Sequence, residues 1–225
     1  MGTLYLVRHG QASFGADDYD RLSELGTRQC AALGAWMREC GLAFEGVLRG
    51  TLVRHRQSLQ AIASELPGLP EALEWPGLNE YDSHALLESV AHTLSEPLPP
   101  PGTPEGYRAH FRLLRVALQA WMEGRTQPRG MPSWQGWLDG VAGALDHVRT
   151  RHAGDVLIVS SGGPISTAVA QVLGAPAQAM VELNLRMRNS SVTEFAFGPK
   201  RHTLVTYNTL PHLEHPERRG WVTFA

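Results

Sequence analysis

The run DVLIVS at 155–160 constrains this chain more than any other segment. Its centre, VLIV, is apolar and rich in β-branched residues, so it reads as a buried strand, the strongest in the chain. The run passes directly into SSGGP and then into a helical stretch over about 164–173. TLYLVR at 3–8 is a second short buried strand, with Gly10 close behind it.

The rest of the chain alternates strand and helix patterns. EGVLR at 45–49 and residues 71–75 are shorter strands, and 191–197 and 202–207 are two late ones before a polar tail. Ser23 reads as the N-cap of a helix with Leu22, Leu25, Leu33, Trp36 and Cys40 on one face, ending before Gly41. Thr51 is placed to cap a helix over 52–65, which Pro67 stops. The proline run EPLPPPGTP at 96–104 admits neither a regular helix nor a central strand. An amphipathic helix follows over about 104–123, with Tyr107, Phe111, Leu114, Leu118 and Trp121 on one side, and Ser133 caps a further helix over 133–152. Strand–helix alternation predicts an α/β fold with a mostly parallel sheet and an insertion at about 81–132 over one end of it. Ligands in such sheets bind at the carboxyl ends of the strands.

Composition narrows the partners. Of 225 residues, 43% are hydrophobic, enough for one core, and 20 basic against 22 acidic residues leave a net charge of −2. No basic excess is left to neutralise a phosphate backbone, so nucleic acid is not an expected partner. No apolar run reaches the roughly 18–20 residues of a membrane span. The start, MGTLYLVRHG, has no basic stretch, so no signal peptide is expected. Cys30 and Cys40 fall on one predicted helix, about 15 Å apart. That is too far for a disulfide, so free thiols and a reducing, cytoplasmic location are expected.

Four places carry chemistry. At the end of the first strand, Arg8-His9-Gly10 combines an imidazole that is nucleophilic when its other nitrogen is held, a guanidinium for an anionic oxygen, and a glycine that lets a substrate approach. Taken alone, the tripeptide is also an ordinary strand end. In GTLVRHRQS at 50–58, Arg54 or Arg56 stands near a helix N-terminus, where an anion site or a surface arginine reads equally well. SSGGP at 160–164 is either a phosphate cradle or a tight turn. It lacks the lysine of a P-loop and the spacing of a serine-hydrolase elbow. In Leu78-Asn79-Glu80, the carboxyl group is a candidate general acid. The ten histidines form no ligand spacing such as HExxH, so no metal is expected.

Taken in order, LVRHGQ at 6–11, LSELGTRQ at 22–29, TLVRHRQS at 51–58, LNE at 78–80, IVSSGG at 158–163 and NSSVTEF at 189–195 resemble the histidine phosphatase superfamily, the phosphoglycerate-mutase-like proteins. The resemblance covers the chain outside the insertion. It implies a three-layer α/β/α sandwich with a mostly parallel central sheet and a helical cap, in one domain over 1–225. It implies that His9 forms a phosphohistidine, that Arg8 and Arg54 clamp the phosphoryl oxygens, and that Glu80 protonates the leaving oxygen and then activates water. Gly10, Gln11, Ser13, Ser161 and Gly162 are the candidate substrate-binding residues. No metal or organic cofactor is implied, and the expected partner is a small phosphorylated substrate. Two positions depart from the pattern. Ser161 stands where the family usually has a second histidine, and Ala12 and Gly15 replace a hydroxyl residue and an asparagine, with Ser13 nearby. The sequence therefore predicts a phosphatase, with a phosphate-ester-binding protein of little turnover and a phosphoglycerate mutase as the alternatives. On the insertion helix, Arg108, Arg112 and Arg115 form a second stripe, either solvated or selecting substrates with a second anionic group.

Overall fold

The computed structural model describes residues 1–13, 20–93 and 103–224. Its centre is a six-stranded sheet of β1 (Gly2–Arg8), β2 (Gly46–Arg49), β3 (Ala72–Glu74), β4 (Val156–Ser160), β5 (Val192–Gly198) and β6 (Arg201–Thr209), in the order β3-β2-β4-β1-β5-β6. β1 pairs in parallel with β4, β4 with β2 and β2 with β3. β5 joins β1 antiparallel and β6 completes that edge as a hairpin. The sheet is thus mostly parallel, and β1, β4 and β2 bring three carboxyl ends side by side. The unbroken apolar runs of β1 and β4 are buried as their composition requires: every residue of β4 is covered.

Helices α1 (Glu24–Glu39) and α2 (Val53–Glu65) cover one face of the sheet, where Cys30, Leu33, Met37 and Ile62 meet Tyr5, Val7, Leu157 and Val159. Helices α5 (Trp134–Arg151) and α6 (Gly162–Leu173) cover the other, where Val141, Leu145 and Ile165 meet Leu4, Leu6 and Ile158. The result is a three-layer sandwich. A third cluster lies away from the sheet. There α3 (Ser83–Val90) and α4 (Pro104–Met122) bury Leu86, Leu114, Leu118 and Trp121 against Trp137 of α5, Ala170 of α6 and Met180 of α7 (Gln178–Asn184).

Three local expectations need correction. The buried side of α1 runs through Gly26, Cys30, Leu33 and Met37, while Trp36 is half-buried and Cys40 is exposed. That spacing follows the helical repeat more closely than the Leu22–Cys40 set does. On α4 the buried stripe runs through Leu113, Leu114, Ala117, Leu118 and Trp121, leaving Tyr107 and Phe111 more than 40% exposed. The helices α3 and α7 were not anticipated, because segments of seven or eight residues carry too few turns for a clear repeat. The proline run at 97–101 and Gly15 lie outside the described residues. Ser23, Thr103 and Ser133 cap their helices through their hydroxyl oxygens. Cys30 and Cys40 are both free thiols.

Candidate active site

The site grows from the carboxyl end of β1. The His9 backbone N–H donates to Ser160 O at 2.9 Å, which holds the ends of β1 and β4 together. The His9 ring is 4% exposed, and its Nδ1 lies 2.7 Å from the carbonyl oxygen of Gly10. A carbonyl can only accept, so Nδ1 carries the proton and Nε2 keeps its lone pair. Burial, reinforced by the cations Arg54 and Arg8 and by His55, holds the imidazole pKa well below its usual value. The neutral form of His9, with its lone pair on Nε2, is therefore favoured. Arg8 is buried, and its guanidinium donates to the carbonyl oxygens of Met187 and Phe224, which fix its plane.

The second cation comes from the start of α2. Asp20 organises this end: its carboxylate accepts from the Val53 N–H at 2.8 Å and from the Arg54 guanidinium at 2.8 Å. An anion at a helix N-terminus satisfies a free donor and meets the positive end of the dipole. Thr51 is not the cap. Leu52 occupies that position, and Thr51 is exposed, paired with Asn79 through two bonds of 2.7 Å. Of the two arginines the sequence left open, Arg54 is buried and Arg56 is exposed.

Glu80 is half-buried, and both of its carboxyl oxygens lie 3.1 Å from the Gly163 N–H in the first turn of α6. Two influences oppose each other. Burial raises its pKa, while the Gly163 N–H, Arg54 and Arg8 lower it; burial wins, and the carboxyl is held above its ordinary value. A carboxyl with a raised pKa thus stands within the field of the same two guanidiniums that act on His9. Gly163 is a glycine for a steric reason, since a Cβ there would lie 2.1 Å from Glu80 Oε1.

The expected binding residues divide into two sets. Ser161 closes β4 and precedes α6, with its hydroxyl buried and 2.7 Å from His55 Nε2, and Gly162 opens α6. Gly10 and Gln11 also hold the frame of the site. The Gly10 N–H donates to Ser58 Oγ, and a Cβ on Gly10 would lie 2.3 Å from Gly26 O, so this glycine lets β1 meet α1. Gln11 donates its N–H to Gln29 and accepts from the Ser23 hydroxyl, both at 2.8 Å. The Ser13 N–H donates to Arg21 O at 2.8 Å, ahead of residues that are not described. Sequence reasoning missed two residues, Asp20 and His55. His55 had a signal, since the Arg54-His55 pair repeats Arg8-His9. On α4, Arg108 pairs with Glu105 and Arg115 with Glu182 of α7, all exposed.

Among the described residues, no group of three or more His, Cys, Asp or Glu side chains is placed to hold a metal ion. No described helix is long and apolar enough to cross a membrane.

Comparison with known proteins fits this geometry. The chain is 33% identical over 124 residues to a 2,3-bisphosphoglycerate-dependent phosphoglycerate mutase of Rhizobium johnstonii, covering 45% of this chain and 58% of that protein. A protein of the same description from Rhizobium etli is 35% identical over the same length. The chain thus spans about 58% of the length of these curated relatives. Among solved structures, the alpha-ribazole phosphatase of Shigella flexneri superposes with a TM-score of 0.65 at 21% identity, over 92% of this chain and 96% of that one. The phosphoserine phosphatase of Entamoeba histolytica, solved with 3-phosphoglyceric acid, gives 0.65 at 22% identity, over 95% and 100%. Phosphoglycerate mutase from Bacillus anthracis gives 0.64 at 17% identity, over 94% of each chain. At these identities the structural likenesses speak for the fold. The model of the histidine phosphatase superfamily (branch 1) matches residues 4–96 and 102–210, nearly the whole sequence, and the chain belongs to that superfamily.

Proposed function

We propose that the protein is a phosphomonoesterase that hydrolyses a small phosphorylated metabolite through a phosphohistidine on His9. One observation carries the reading. A neutral imidazole with a free Nε2 is buried beside two guanidiniums, and a carboxyl with a raised pKa lies in the same field.

In this reading Arg8 and Arg54 take the non-bridging phosphoryl oxygens, and their charge is worth more there because the site is largely dry. His9 Nε2 attacks phosphorus, and the bond to the ester oxygen breaks as Glu80 gives that oxygen its proton. The alcohol leaves. Glu80, now a carboxylate, takes a proton from water, the water oxygen bonds to phosphorus, and the bond to Nε2 breaks to release inorganic phosphate. The Ser161 hydroxyl and the first turn of α6 hydrogen-bond the phosphoryl group. Guanidiniums do the charge neutralisation here, so turnover is expected to survive EDTA. The two free thiols support a reducing compartment, the cytoplasm.

A mutase reading is favoured by the description of the curated relatives. A mutase returns the phosphoryl group to an acceptor hydroxyl, whereas a phosphatase gives it to water. The test is incubation with p-nitrophenyl phosphate and a panel of phosphorylated metabolites in EDTA, with phosphate release and phosphoryl exchange both measured. His9-dependent release of phosphate supports the proposal. Exchange between phosphoglycerates without release supports the mutase. Binding of esters with neither outcome supports a non-catalytic phosphate-ester-binding protein.

A further inference from the structure

His55 is the most unusual side chain around the site. It is the third residue of α2, it is 0% exposed, and its ring centroid lies 5.8 Å from that of His9 at an interplanar angle of 37°. Its Nε2 is 2.7 Å from Ser161 Oγ. A fully buried imidazole next to two arginines is an expensive choice at a position where an alanine would continue the helix without cost. Burial, then Arg54 and Arg49, hold it neutral.

The direction of the His55–Ser161 bond follows from the other ring nitrogen. His55 Nδ1 is buried and has no hydrogen-bond partner among the described residues. It lies against the backbone at Gly50, where a Cβ would stand 2.2 Å away. A buried N–H without an acceptor is rarer and costlier than a buried lone pair without a donor. The proton is therefore on Nε2, which donates to Ser161 Oγ. The serine oxygen spends one lone pair on that bond, and its own O–H is released to donate elsewhere.

We propose that His55 is a positioning residue that acts through Ser161: by donating to Oγ it turns the serine O–H toward a phosphoryl oxygen on His9. The imidazole on α2 thereby serves the β4 side of the site without touching the substrate. The inference rests on the phosphatase reading, in which Ser161 meets the phosphoryl group. It adds that the serine works only as half of a pair, and it gives Gly50 its role as the space in which the ring sits.

The test is a double-mutant cycle of Ser161→Ala and His55→Leu. It is read as kcat and KM for p-nitrophenyl phosphate and as the Kd for orthovanadate, which occupies the phosphoryl site without turnover. Ser161→Ala should lower kcat about tenfold, the effect of one modest hydrogen bond. His55→Leu should lower kcat by the same factor with little change in KM, and the double variant should be no worse than either single one. A hundredfold loss in the double variant, or a His55→Leu enzyme as fast as the parent, overturns the proposal. A second pair of variants reads the same point if His55→Leu does not fold. Ser161→His alone should be nearly inactive, because the new ring meets His55. Adding His55→Ala should restore at least tenfold, since one imidazole again faces the phosphoryl group. A single variant more active than the double overturns the pairing. If the parent enzyme turns over no ester, the phosphatase reading fails, and the coupling is decided by the vanadate Kd alone.

Discussion

Gly163 and Glu80 are in close mechanical contact, which offers a probe that removes none of the proposed reacting groups. In Gly163→Ala the new Cβ would begin 2.1 Å from Glu80 Oε1 and 3.0 Å from the Tyr81 ring. Ordinary contact begins at 3.4 Å, so the carboxyl must retreat by about 1 Å. It would also leave the Gly163 N–H that both oxygens now share at 3.1 Å. A misplacement of about 1 Å typically costs about 100-fold in rate. The backbone at 163 lies outside the left-handed region, so alanine suits this helical position. The lost bond from the Gly163 N–H should cost about 1 kcal/mol, seen as a modest drop in melting temperature of a variant that still folds. The assay is kcat/KM, which reports phosphorylation of the enzyme alone, for an alkyl phosphate and for p-nitrophenyl phosphate. The alkyl ester needs its leaving oxygen protonated and should lose about 100-fold; the nitrophenyl ester should lose less than about tenfold. Equal losses for the two esters, or none, in a folded variant would refute the general-acid role of Glu80 and its placement by α6.

Three further outcomes are expected. Glu80→Gln should remove the alkaline limb of the kcat/KM profile: Glu80 acts while protonated, with a raised pKa, and His9 acts while neutral, with a lowered one, so activity falls as pH rises through the Glu80 pKa and as it falls through that of His9. Asp20→Ala should cost about 1 kcal/mol of stability through the lost cap and should raise KM for phosphate esters through the loosened Arg54, as denaturation and steady-state kinetics would measure. Stability should fall below pH 6.5. Buried His212, with its pKa pushed down to about 3, stays neutral in the fold while the unfolded chain takes up a proton, a difference of about 2 kcal/mol by pH 5. In His212→Gln that part of the acid sensitivity should vanish from melting curves.

How much of this was legible depended on whether a property is local. The apolar runs of β1 and β4 read as buried strands from composition alone, and the fold buries them. Ser23 and Ser133 cap through hydroxyls within their own segments, so sequence alone finds them. The cap of α2 was misread because its acceptor, Asp20, lies over thirty positions upstream and reaches Val53 only in the fold. The Arg54-His55 pair repeats Arg8-His9 and so marks His55 in the sequence, but its place 5.8 Å from His9 and 2.7 Å from Ser161 comes only with tertiary packing. Gly10, a candidate substrate contact by its place after β1, has a second reason to be glycine that only the fold displays, the close approach of Gly26.

In the proposed mechanism His9 alone takes the phosphoryl group, although His55 is a second buried, neutral imidazole beside it. Rapid alkaline quenching during turnover of p-nitrophenyl phosphate, followed by mass spectrometry of the peptides, locates the adduct. An acid-labile phosphoryl group is expected on His9 and absent from His9→Ala, which should be folded and inactive. Turnover without any adduct, an adduct on His55, or parent-like activity in His9→Ala would contradict that mechanism.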